Sequence, residues 1–91
     1  MANHKSALKR ARQNAVRRIR NKSYRTKVKK AIKQVRADIT ADSADNAQKS
    51  LANAVSVIQK TVSKGVLHKS QASRKISRLA HQVNHLTSQG L

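Results

Sequence analysis

The first sixty-four residues of this chain contain neither proline nor glycine. Nothing in that stretch obliges a helix to stop, and Ala, Lys, Arg, Gln and Leu, all good helix formers, dominate the composition. Aromatic side chains bury the most surface per residue, and Tyr24 is the single one present. A core therefore has to be built from Ala, Val, Ile and Leu. Ninety-one residues make one small domain at most, and a domain of that size buries only a modest fraction of its surface on folding.

The spacing of apolar residues says how such helices pack. Val28, Ile32, Val35 and Ile39 recur at steps of four, three and four, which marks one buried helical stripe. Followed backward at about 100° per residue, the same line meets Asn21, Arg17 and Arg18, while Leu8, Ala15, Val16 and Ile19 fall on the opposite side. Supercoil drift of roughly 20° per heptad cannot produce a half-turn switch. We expect one long helix, near residues 6–40, that packs by its C-terminal half and projects by its N-terminal half. At about 1.5 Å per residue it would reach roughly 50 Å.

Asp42, Ser43, Asp45 and Asn46 form a polar cluster that can open a second helix near 44–63, with Asp42 or Ser43 as N-cap and Asp45 against the first-turn dipole. Its stripe is Ala44, Ala47, Leu51, Ala54, Val55, Ile58 and Val62, with Lys49, Ser56 and Lys60 on the far side. Gly65 suits a left-handed helix stop. A third helix, near 69–87, carries Ala72, Ile76, Leu79, Ala80, Val83 and Leu86 on one face and Arg74, Arg78, His81 and His85 on the other. The expected architecture is all-α: a three-helix bundle with a long, projecting basic first helix, in a single helical domain over 1–91.

Charge divides the chain more sharply than any linker. Residues 1–36 hold fourteen Lys and Arg and no acid; 37–63 hold Lys49 and Lys60 against Asp38, Asp42 and Asp45; 64–91 hold five basic residues, again without an acid. A solvated helix face usually mixes signs, because like charges at i,i+4 cost a few tenths of a kcal/mol per pair. Here Lys5/Lys9, Arg18/Lys22 and Lys29/Lys33 are all repulsive. A net charge of +18 opposes compaction unless a polyanion neutralises it, so the expected partner is a nucleic acid. Residues 1–20 are expected to become ordered as helix only on binding.

Other classes find little support. There is no cysteine, hence no disulfide, thiol nucleophile or Cys-based zinc site. Three aspartates at one helix junction, read here as junction caps, and no Gly-rich phosphate loop leave no acid/base pair or nucleophile elbow, so an enzyme is not expected. His81 and His85 stand at i,i+4, but no Cys, Asp or Glu accompanies them; they read as part of a phosphate-facing surface, and no metal or other cofactor is expected. His68 is equally a loop cap or an RNA contact. No apolar run reaches membrane length, and the apolar face of residues 1–20 lacks an aromatic anchor. An Arg-rich, acid-poor N-terminus also describes a transit peptide, yet the basic character runs past Arg36 and resumes at Lys64, beyond what a removable address needs.

Between RNA and DNA, composition works by exclusion. One tyrosine cannot build a base-stacking platform, so phosphate and shape recognition remain. Tyr24 is either a stacking contact or packing at the bundle edge. Lys supplies compact charge and Arg a planar fork for phosphate oxygens. The residues expected to bridge RNA phosphates are Lys5, Lys9, Arg10, Arg12, Arg17, Arg18, Arg20, Lys22, Arg25, Lys27, Lys29 and Lys30. Lys64, His68, Lys69, Arg74, Lys75 and Arg78 are expected on a second strand. The alternative is a DNA-compacting basic protein, which would share the charge but bind duplex DNA as well.

Three blocks carry a resemblance: Met1-Ala2-Asn3-His4-Lys5-Ser6-Ala7 with Lys9-Arg10; Arg25-Thr26-Lys27-Val28-Lys29-Lys30; and Lys64-Gly65-Val66-Leu67-His68-Lys69 leading to Ala72-Ser73-Arg74-Lys75-Ile76-Ser77-Arg78-Leu79. With these the chain resembles, nearly end to end, the bacterial and organellar small-subunit ribosomal protein family numbered twenty. The third block is the most specific. Departures are Leu8, where the family often has Lys, and Ser70 and Ile76, where Asn and a basic residue are common. The resemblance implies a three-helix bundle with a long first helix, direct binding to small-subunit ribosomal RNA, a role in assembling the body of that subunit, few or no protein contacts, no membrane and no homo-oligomer. It places the chain on a cytoplasmic or organellar ribosome.

Overall fold

The computed structural model describes the backbone of residues 2–89 and the side chains of residues 5–88. The ends of the expected 1–91 unit, and the side chains of Met1 to His4 in the first block, lie outside the described residues. Three helices follow one another: α1 (Ala2–Thr40), α2 (Ala44–Ser63) and α3 (Lys69–Gln89). The architecture is the all-α one expected, with a long first helix.

Their packing follows from the stripes. Val28, Ala31 and Val35 of α1, Ala47, Ala54 and Ile58 of α2, and Ala72, Leu79, Val83 and Leu86 of α3 form one buried cluster. Ile32, Ile39, Leu51, Val62, Leu67 and Ile76 seal its margins half-buried. Helix α2 is the centre, packed against both others, whereas α1 and α3 touch only lightly. A cleft is left between those two.

Two core positions lie outside the expected stripes. Ala31 lies beside the expected line of α1 and is buried; Thr61 is 1 % exposed. Its Oγ1 donates to the Val57 carbonyl at 2.8 Å, so the hydroxyl is satisfied inside its own helix and the methyl is free to pack. The half-turn switch in α1 is real. From Lys5 to Arg20 every side chain is exposed, and the helix has almost no net apolar side over its full length, unlike α2 and α3.

Both connections close with the same hydrogen-bond pattern. At the end of α1, Asp42 N–H donates to the Ile39 carbonyl at 3.0 Å and Ser43 N–H to that of Asp38 at 3.1 Å. At the end of α2, Gly65 N–H donates to Val62 at 2.9 Å and Val66 N–H to Thr61 at 3.2 Å. This is the Schellman arrangement, which needs a left-handed residue at its pivot. Gly65 has φ 75 and Asp42 φ 59. Gly65 is thus the expected stop, but Asp42 corrects an expectation: it terminates α1 instead of capping α2. Ser43 holds the N-cap position of α2 without a side-chain cap bond, and Asp45 sits in the first turn.

The result is a rod-and-bundle shape, 71 × 22 × 14 Å, with a radius of gyration of 18.1 Å. A compact chain of this length would have about 12 Å. Its accessible surface is 7248 Å², against about 5,300 Å² expected for a compact protein of its mass. The surplus is the projecting half of α1.

Candidate nucleic-acid interface

All the cations singled out in the sequence are exposed. The fold sorts all but Lys64 and Lys69 into three settings. Lys5, Lys9, Arg10, Arg12, Arg17, Arg18 and Arg20 stand around the circumference of the projecting half of α1, interleaved with Leu8, Val16 and Ile19, which are 55 %, 62 % and 72 % exposed. Lys22, Lys27 and Lys30 share one outer face of α1 with Ile19, Ser23 and Thr26.

The third setting joins two helices. Arg25 and Lys29 turn toward the cleft between α1 and α3, where they meet Lys75. A second hollow along the same seam is lined by Lys29, Ile32, Lys33, Arg36 and Lys75. Arg74 and Arg78 continue it on α3 beside Gln71 and Lys75. Lys33 and Arg36 were absent from the expected contacts; their spacing from Lys29, one and two turns on, was the signal that would have found them. Lys64 and Lys69 are exposed but line neither hollow of the seam, and the first seven cations lie away from α3 along the rod.

Among the described residues no lysine or arginine pairs with an acid. Asp38 instead accepts from Gln34 Nε2 at 3.1 Å and from the Ser50 hydroxyl, tying α1 to α2. Its role is therefore a cross-tie, which corrects its reading as a cap.

The histidines divide. His68 is a cap: its Nδ1 accepts the Ser70 N–H at 3.1 Å at the start of α3 and lies 2.8 Å from Ser70 Oγ. With Nδ1 accepting, the ring proton resides on Nε2. His81 and His85 are exposed on the outer face of α3, and among the described residues no three potential metal ligands gather. Tyr24 is half-buried where α1 leaves the bundle, with the Lys27 ammonium 5.2 Å from its ring centroid. Among the described residues no helix is long and apolar enough to cross a membrane.

What this arrangement can do chemically is hold anionic oxygens, not transform them. Comparison with known proteins agrees. The family model for ribosomal protein S20 matches residues 2–84. Small ribosomal subunit protein bS20 of Desulfatibacillum aliphaticivorans is 52% identical over 86 residues, 94% of this chain and 98% of that one. Its namesakes in Syntrophobacter fumaroxidans and Sulfurimonas denitrificans are each 54% identical, over 94% and 92% of this chain and 100% and 98% of their own. These are ribosomal proteins and not enzymes. A match over so much of the length, on a fold whose exposed cations gather on α1 and along the α1–α3 seam, leaves one conclusion: the chain belongs to the ribosomal protein S20 family.

Proposed function

We propose that this chain is a structural component of the small ribosomal subunit that binds 16S-type ribosomal RNA directly, by phosphate and shape contacts, and stabilises the folded body of that RNA during assembly. It acts as one helical unit over residues 1–91, as a single copy with few or no protein contacts, on a cytoplasmic ribosome or its organellar counterpart. The observation that carries this reading is the pairing of a rod exposed on every side from Lys5 to Arg20 with a cationic seam built from two helices. A rod basic around its circumference touches several RNA strands at once; the seam, with Arg25, Lys29, Lys75, Arg74 and Arg78, holds a further one. Lys64 and Lys69 extend the α3 side, and His68 offers its Nε2–H beside them.

Affinity for folded small-subunit RNA tests it. If about eight phosphates are neutralised, log K against log salt falls with a slope of roughly −6 to −7. Arg17→Ala, Arg18→Ala and Arg20→Ala together lower the magnitude of the slope by about 2 to 3. A nearly flat titration sinks the reading. Equal competition by duplex DNA at fixed salt would turn it toward DNA compaction.

A further inference from the structure

The hollow lined by Arg25, Lys29 and Lys75 also gathers three apolar side chains, contributed by α1 and by the α2–α3 connection. Val28 forms its base, 6 % exposed, and Val66 and Leu67 of the α2–α3 connection form its wall. Both wall residues are only half-buried by the protein itself. Their position is set by backbone: Val66 follows the left-handed Gly65, and its N–H is fixed to the Thr61 carbonyl. The hollow offers about 270 Å³, just under the usual range for small-molecule pockets and room enough for one flat ring. Gln71 stands at its edge with both a donor and an acceptor to offer.

We propose that this cleft between α1 and α3 seats one unstacked nucleotide of the bound RNA, its base against Val28, Val66 and Leu67 and its phosphate among Arg25, Lys29 and Lys75. The inference rests on the RNA-binding reading above. The chemistry selects the occupant. Three cations contributed by two helices call for an anion, and an aliphatic floor between them calls for an apolar face on the same molecule. A duplex keeps the flat faces of its bases stacked and presents only base edges, sugars and phosphates, leaving the floor wet. An unpaired nucleotide supplies a flat face and an attached phosphate together. The aliphatic floor contacts any base, so whatever preference exists comes from Gln71 at the base edge.

The test uses the full chain and a 16S-type small-subunit RNA transcript. Base-specific and backbone chemical probing, with and without protein, read which RNA groups are covered. One unpaired base is expected to be protected by the parent protein and re-exposed by Leu67→Ala and Val66→Ala, with the backbone footprint intact. Those variants are expected to lose about fivefold in affinity at an unchanged salt slope. Lys75→Ala also weakens binding but lowers the slope by about 1. Melting curves of the free variants separate binding from folding, and Leu67→Met, which keeps the apolar volume, is expected to restore both affinity and protection. Protection confined to sugar and phosphate, with Leu67→Ala and Val66→Ala binding as well as the parent, makes the cleft a phosphate cradle and overturns the proposal. Absence of RNA binding by the parent protein would instead overturn the reading beneath it.

Discussion

At the scale of single residues, the two helix stops show how one backbone requirement is met by two side chains. Gly65 and Asp42 occupy the same pivot of the same turn, and an added Cβ at Gly65 would meet nothing within 4 Å. The difference between them is then conformational. Gly65→Ala is expected to lower stability by about 1 kcal/mol through the left-handed penalty alone. Asp42→Gly relieves that penalty, offset in part by a looser unfolded chain, for a net gain of up to about 0.5 kcal/mol. Thermal melts of the free protein read both; a neutral Gly65→Ala would show that the turn is not held in this form in solution. Ile58, fully buried at the centre of α2, belongs to another class. Its truncation to Ala should cost about 2–5 kcal/mol. A domain of this size has about 5–14 kcal/mol in total, so Ile58→Ala should remove a large share of it and lower the melting temperature steeply.

For α1 as an element, the decisive contrast lies between its halves. From Val28 onward the helix is held by burial against α2, whereas from Lys5 to Arg20 no side chain is buried and the cationic pairs Lys5/Lys9, Lys9/Arg12 and Arg17/Arg20 each stand about one turn apart. Helix propensity alone then opposes the repulsion, and short unsupported helices are marginal in water. Amide hydrogens of residues 5–20 are expected to exchange fast in the free protein and slowly in complex with RNA; strong protection without RNA would contradict this. Ile19→Gln, on that same half, should leave the melting temperature of the free protein nearly unchanged, since surface changes of this kind stay within about 0.5 kcal/mol. The register switch behind this contrast was legible in the sequence, because Val28, Ile32, Val35 and Ile39 define a line that Arg17, Arg18 and Asn21 interrupt. Gly65 was legible for a similar reason: few residues do what it does. Asp42 was not, since aspartate both caps helix starts and tolerates the left-handed region, and the sequence does not say which neighbouring helix it serves. Thr61 was hidden by a hydroxyl that the helix itself satisfies. The α1–α3 seam was invisible for a deeper reason. Which cations of two separate helices face one another depends on how both pack on α2: spacing places Lys33 and Arg36 on the Lys29 side of α1, but only that packing brings Lys75 opposite them.

The molecule as a whole carries a net charge of +18 on a surface larger than its mass requires. With no lysine or arginine paired to a carboxylate among the described residues, added salt has repulsion to screen and little attraction to weaken. Raising sodium chloride from about 0.02 M to about 0.5 M should therefore raise the melting temperature of the free protein while it weakens RNA binding. A fall in melting temperature over that range would mean that attractive pairs dominate after all. The two trends, opposite in sign, separate folding from binding within one titration. A convenient gauge for following them is already in place. Tyr24 is the only aromatic side chain in the sequence and stands where the rod leaves the bundle, beneath the Lys27 ammonium. The protein's intrinsic tyrosine emission thus reports from that one junction, so a spectroscopist can follow the place where rod meets bundle without attaching a dye.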